Sequence, residues 1–240
     1  EIRKSMFAAA EIAVKHIDMR KHKGVHPRIG AVDVVPLVPV CDVTIDECVE
    51  VSHSVGNDLA SICVPVYFYE QSARIAARTK LPDLRRGGYE ALALGPLEGS
   101  RLPDVGPDSA HPTAGATVVG ARGRLVAYNI FLESVQVTLA KAIAKKLRTG
   151  ESGLKGIKSI GLLLESRSQI QVSMNLTTPD QTPLAEVYAF IESEARAAGI
   201  EVVESEIIGA IRSRDLEGTT PEKIKAVHFK ETQILENWMG

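Results

Sequence analysis

The sequence predicts an α+β protein built from ferredoxin-like, split-βαβ units, on three observations. Apolar periodicity over residues 125–208 runs strand, helix, strand, strand, helix, strand, the order of one complete unit. Residues 1–69 run helix, strand, helix, strand, the pattern of a second unit whose opening strand would precede the first helix. Residues 70–123 differ from both, being rich in Gly, Pro and Arg with few periodic apolar runs, as a long functional loop is.

Each element has its own justification. Residues 1–17 read as an Ala-rich amphipathic helix with Ala8, Ala9, Ala10, Ile12, Ala13 and Ile17 on its apolar face. Residues 31–40 form an apolar strand. Thr44 or Asp46 caps a helix running to about residue 62, with Cys48, Val51, Val55 and Leu59 at helical spacing. Residues 64–69 are a short β-rich strand. Short helices are expected near 74–79 and 81–85, then an extended ordered loop. A strand follows at 125–131 and a helix at 135–147, with Val135, Leu139, Ile143 and Leu147 on one face. Strands at 157–164 and 169–176 are joined by a polar turn around Ser166-Arg167. The helix at 183–198 opens on Pro183 and is followed by Gly199, and a strand occupies 201–208. Residues 210–240 are expected to pack as helix.

Composition narrows the function classes. The chain is 45% hydrophobic and 24% charged, with a formal net charge of −2, so nothing draws it globally to nucleic acid or an anionic membrane. No apolar run approaches the roughly 20 residues a membrane-spanning helix needs. The opening Glu1-Ile2-Arg3-Lys4 shows no secretory signal pattern. Cys41, Cys48 and Cys63 fit no zinc or redox spacing, so reduced, buried thiols in a cytoplasmic protein without a metal are expected. Small molecules are the expected partners.

Chemistry concentrates in three segments. In Lys23-Gly24-Val25-His26-Pro27-Arg28-Ile29-Gly30-Ala31-Val32-Asp33, a cationic, glycine-flanked loop presents one histidine and then becomes strand. His26 beside Lys23 and Arg28 is a candidate proton acceptor; equally, it is a solvated loop histidine. Asp33 is placed to orient a histidine or to bind a polar ring edge. The second segment, Gly106-Pro107-Asp108-Ser109-Ala110-His111-Pro112-Thr113-Ala114-Gly115, pairs Pro and Gly with small residues. That suits close approach of a flat ligand to the backbone, or a rigid linker. It matches no phosphate-binding loop. In the third, Gly120-Ala121-Arg122-Gly123-Arg124, the arginines suit a carboxylate or a solvated strand end. His16, His22, His53 and His228 read as structural or solvated.

Taken together, these strings resemble the formiminotransferase family along nearly the whole chain. The resemblance is carried by Ile17-Asp18-Met19, the segment from Lys23 to Asp33, Asp46-Glu47-Cys48, Val64-Pro65-Val66-Tyr67, Gly88-Tyr89-Glu90-Ala91-Leu92, Pro103-Asp104, Gly106-Pro107, Gly115-Ala116-Thr117 and Gly120-Ala121-Arg122. The resemblance implies two α+β subdomains, residues 1–120 and 121–240, with facing sheets, helices outside and a folate cleft. It also implies further chain before the first helix and a homodimer. The activity it implies is transfer of a formimino group from N-formimino-glutamate to N5 of tetrahydrofolate, in histidine breakdown. It puts the catalytic base at His26 and folate on residues 106–115, and makes Arg28, Asp33, Arg122 and Asn129 substrate-binding. Action on 5-formyltetrahydrofolate, or folate binding without turnover, are the alternatives. One departure bears on this choice: Phe131 stands where relatives usually carry a second Asn, on the strand face that also bears Asn129.

Overall fold

The computed structural model describes residues 1–24 and 26–239; Val25, inside the histidine-bearing segment, and Gly240 lie outside the described residues. The chain divides into two compact units, Glu1–Gly123 and Arg124–Gly240. Both mix helices with a sheet, three-stranded and parallel in the first and four-stranded and antiparallel in the second.

The first unit opens with α1 (Ile2–His16), β1 (Asp33–Leu37) and α2 (Ile45–Ser61), followed by β2 (Val66–Phe68). β1 is an edge strand and so accommodates Pro36, but it stops at Leu37, short of Pro39 in the apolar run that encodes it. α2 starts on a full capping box: the Thr44 hydroxyl accepts the Glu47 N–H at 3.2 Å, and Glu47 accepts the Thr44 N–H at 2.7 Å. Cys48, Val55 and Leu59 turn inward from α2 onto Val35, Leu37, Phe68 and Val119. Each such side chain contributes about 1.5–3 kcal/mol by leaving water. α1 adds Met6 and Ala10 to this layer, whereas Ala8, Ala9 and Ile12 of its expected apolar face are exposed.

The Gly- and Pro-rich stretch is more structured than its composition suggests. It holds α3 (Leu81–Leu84), α4 (Gly88–Leu92) and three 3₁₀ turns, and ends in β3 (Thr117–Ala121). β3 is the central strand of the sheet, paired in parallel with β1 and β2. All of its residues are buried, so it shows no polar–apolar alternation, and its local pattern predicts the loop that the structure replaces with a strand. The opposite face of the sheet buries Tyr67, Tyr69 and Val118 against Ile29, Leu92 and Leu97.

The second unit contains β4 (Val126–Leu132), α5 (Val137–Thr149), β5 (Ile157–Leu164), β6 (Gln169–Leu176), α6 (Leu184–Ala197) and β7 (Val202–Ile208). Its sheet order, β5-β6-β4-β7, is that of a split βαβ. Tyr128, Ile130, Leu132, Val172 and Leu176 from the strands meet Ile143, Leu147, Val187 and Ile191 from the helices in one core. Val135, expected on the α5 face, lies before the helix and is exposed. Residues beyond β7 form 3₁₀ turns rather than α-helix; they cover the β7 edge, where Lys225 O accepts the Ser205 N–H at 2.7 Å.

Among the described residues no helix is long and apolar enough to cross a membrane, and no three His, Cys, Asp or Glu side chains cluster to hold a metal. Two of the thiols expected to be buried are not: Cys41 and Cys63 are exposed and only Cys48 is buried. Asp42 accepts the Cys41 thiol at 3.2 Å and pushes its pKa up, and burial does the same for Cys48, so both favour the thiol over the nucleophilic thiolate.

Candidate active site

The segment between α1 and β1 is held by polar staples. Met19 is buried, and its N–H donates to Thr113 O at 2.8 Å. Asp18 accepts both Arg20 Nε (2.9 Å) and Nη2 (2.8 Å), which lowers its pKa to about 2. The Arg28 guanidinium forks onto Glu90, Nη2 to Oε1 at 2.7 Å and Nη1 to Oε2 at 3.0 Å. That pairing holds the Glu90 carboxyl down at about 2. Arg28 also reaches back to His22, through Nε to Nδ1 at 3.2 Å and Nη2 to the carbonyl at 3.0 Å. His26 is exposed within this stapled loop, and its ring makes no hydrogen bond or ion pair among the described residues.

Asp33 opens β1 with a φ of 54°. Its carboxylate accepts the Ile29 N–H at 2.8 Å and pairs with Arg85. Asp33 and Arg28 therefore spend their charges on fixing the turn after His26. Neither partner was legible beforehand, since Arg85 and Glu90 lie 52 and 62 residues away in sequence.

Residues 106–115 fold back on that turn. His111 and Gly115 exchange backbone hydrogen bonds of 2.8 and 2.9 Å. Ala31 N–H donates to Ala114 O at 2.9 Å, Ala116 N–H donates to Ile29 O at 3.1 Å, and Gly30 bridges Gly115. A Cβ on Gly30 would sit 2.0 Å from Ala116 O, and one on Gly115 would sit 2.2 Å from Ile29 O, so only glycine lets these backbones meet. His111 Nδ1 accepts the Thr113 and Ala114 N–H groups at 3.3 and 3.0 Å, which leaves Nε2 as the protonated nitrogen of the neutral ring. Burial lowers the His111 pKa in the same direction. Tyr89 OH donates to Pro112 O at 3.2 Å. Leu97 N–H donates to Asp108 O at 2.6 Å. Gly106, Asp108, Ser109 and Pro112 are exposed, Pro107, Ala110 and Thr113 half-buried, and Ala114 and Gly115 buried.

Below the turn, a buried pair fixes the start of the same stretch. Arg78 and Asp104 meet at 2.7 Å, and Arg78 lies over the Tyr67 ring at 5.3 Å. Tyr67 OH donates to Arg101 O at 2.6 Å, and burial pushes its pKa up to about 12. Arg122, just past β3, donates to Gly123 O at 2.9 Å and acts against the burial that raises the Tyr69 pKa. Arg124 is committed within the second unit, to Asp215 and Asp180.

In the second unit, the sheet face away from α5 and α6 carries Asn129 and Phe131 on β4, as strand alternation predicts. Asn129 Nδ2 donates to Glu206 Oε2 at 3.4 Å. Phe131 is buried, with the Arg167 guanidinium 4.5 Å above its ring and Arg167 paired in turn with Glu204. Arg167, Glu204 and Glu206 join this face without belonging to any of the segments singled out from sequence; alternation on β7 is the signal that marks the last two. A hollow of about 490 Å³ lined by Glu1, Arg3, Lys4, Phe7, Asp58 and Ser61 contains none of the expected site residues.

The chain is thus two α+β units, the first presenting an exposed histidine on a stapled loop. Comparison with known proteins is specific. The family profile described as the formiminotransferase domain, N-terminal subdomain, matches residues 1–122, and that of the formiminotransferase domain matches residues 127–219. Glutamate formimidoyltransferase of Streptococcus pyogenes serotype M1 is 39% identical over 238 residues, 98% of this chain and 80% of that protein. Glutamate formimidoyltransferase of Thermoplasma acidophilum is 36% identical over 236 residues, 97% of this chain and 78% of that protein. Formimidoyltransferase-cyclodeaminase of Rattus norvegicus is 43% identical over 211 residues, 85% of this chain and 39% of that protein. The chain belongs to the formiminotransferase family.

Proposed function

We propose that this chain is a folate-dependent one-carbon transferase, moving the formimino group of N-formimino-L-glutamate to N5 of tetrahydrofolate with His26 as general base. The observation that carries the reading is the match to two glutamate formimidoyltransferases over nearly the whole chain. The local geometry supports the base: His26 is an exposed imidazole, its ring without a partner among the described residues, on a loop whose neighbouring charges, Arg28 and Asp33, are consumed in holding it. N5 of the folate attacks the formimino carbon, and the N5–C bond forms as the proton on N5 passes to the imidazole. The C–N bond to glutamate then breaks, and the leaving amine takes that proton back. Residues 106–115 offer folate a wall of small side chains and backbone. Arg122 and Asn129 serve the donor, and Arg28 and Asp33 serve it by fixing the loop. Histidine breakdown in the cytoplasm and a homodimer complete the proposal.

Phe131 favours a second reading, action on 5-formyltetrahydrofolate, because it puts a stacked aromatic ring where an amide would offer hydrogen bonds. One experiment separates the readings. Protein is incubated with tetrahydrofolate and N-formimino-L-glutamate and the formimino product is followed; the assay is repeated with 5-formyltetrahydrofolate and ATP. Product in the first assay alone supports the transferase. Folate binding without turnover in either assay leaves a non-catalytic folate protein. In the active protein, His26→Ala lowers turnover by about 10²-fold or more with folate affinity unchanged. Collapse of folate affinity would make His26 a ligand contact instead.

A further inference from the structure

The face of the second sheet away from α5 and α6 is a grid of rows running across β5, β6, β4 and β7. One row is Leu162, Gln171, Phe131 and Glu204; the next is Ile160, Ser173, Asn129 and Glu206. The first row already binds a planar N–C–N cation, the guanidinium of Arg167, which lies over Phe131 and pairs with Glu204. The second row repeats the carboxylate without the cation: among the described residues the hydrogen-bond partner of Glu206 is Asn129 alone, at a long 3.4 Å. Asn129, Ser173 and Glu206 are half-buried and Ile160 is exposed, so this row is reachable. Gln171, diagonal to Asn129, is only 5% exposed, and its Oε1 is a buried acceptor with no partner among the described residues.

From this geometry we propose that Glu206, with Asn129 and Ser173, binds the planar amidinium end of the formimino donor. The proposal rests on the transferase reading above and names the subsite within it. A formimino group is an amidine, so near neutral pH it is a delocalised cation with several N–H donors. It needs a half-buried carboxylate and neighbouring acceptors, which this row supplies. The glutamyl carboxylates of the donor are repelled by Glu206, so the row also orients the donor, with its amidinium against the carboxylate and its own carboxylates away from it.

The test is Glu206→Gln, which keeps size and keeps an acceptor for Asn129 while removing the charge. Two ligands are compared, N-formimino-L-glutamate and N-formyl-L-glutamate, in which a neutral amide replaces the amidinium. The expected result is a rise in donor KM of about 10- to 100-fold, as loss of a charge-assisted hydrogen bond produces. The inhibition constant of the formyl analogue and the KM for tetrahydrofolate stay within about twofold. Equal losses for both ligands, or no change for the donor, would overturn the assignment. Calorimetric titration of the donor keeps the two readings apart. Donor bound by the wild type, weakened in Glu206→Gln, and never transferred would sink the transferase reading and keep the subsite. Donor transferred normally and bound equally by both proteins would sink the subsite and keep the transferase.

Discussion

The two units solve the same packing problem by different means. In the second, Ile143, Leu147, Val187 and Ile191 press onto alternating strand positions, and apolar burial is the main tie between the sheet and its helices. In the first, an irregular stretch between β2 and β3 is tied down by polar contacts between residues distant in sequence: Arg78 with Asp104, Arg85 with Asp33, Arg28 with Glu90. The regular unit is cheap to specify and tolerant. The stapled unit holds a loop in a shape that periodicity could not encode, and that loop carries the proposed chemistry.

The sharpest way to break this contrast is Asp104→Ala, which strands the buried Arg78 cation. A cost of about 3–5 kcal/mol is expected. Amide hydrogen exchange should accelerate in Glu1–Gly123 far more than in Arg124–Gly240; equal acceleration would show that the staple serves the whole chain. The converse is Ile143→Ala, expected to cost about 2–5 kcal/mol, with exchange rising in the second unit. Thr44→Ala removes the α2 cap and should lower stability by about 1 kcal/mol, read as a shift of the urea midpoint at constant m-value.

The smallest effect is pH-dependent. Burial lowers the His111 pKa, so the fold favours the neutral ring. The resulting stability is complete above the ordinary value of 6.5 and is lost as pH falls below it. Protonating Nδ1 also removes the acceptor for Thr113 and Ala114. Proteolysis within residues 106–115 should therefore rise on going from pH 7.5 to about 5. His111→Asn, whose side-chain oxygen accepts the same N–H groups without titrating, should flatten that response; an unchanged pH response would clear His111 of it.

How much was legible follows the same divide. The strands at 157–164 and 169–176 and the helix opening at Pro183 were readable because each carries a period and a punctuating residue. Of the two cap candidates the sequence offers for α2, Thr44 and Asp46, the structure uses Thr44, with Glu47 completing the box. The strand Thr117–Ala121 was not readable, since a short run buried on both sides looks like any small-residue loop. His26 and residues 106–115 stood out as chemistry-bearing types. What Arg28 and Asp33 do there depended on Glu90 and Arg85, pairings set by tertiary folding that local pattern does not encode.

The crossing of Gly30 and Gly115 has a mechanical consequence. With no side chain between them, the two main chains are in direct contact, leaving no slack for one to drift while the other stays. A ligand that displaces residues 111–115 by a fraction of an ångström must carry the turn beyond the imidazole with it. Occupancy on one side of that weld would thus be felt as a change of aim on the other.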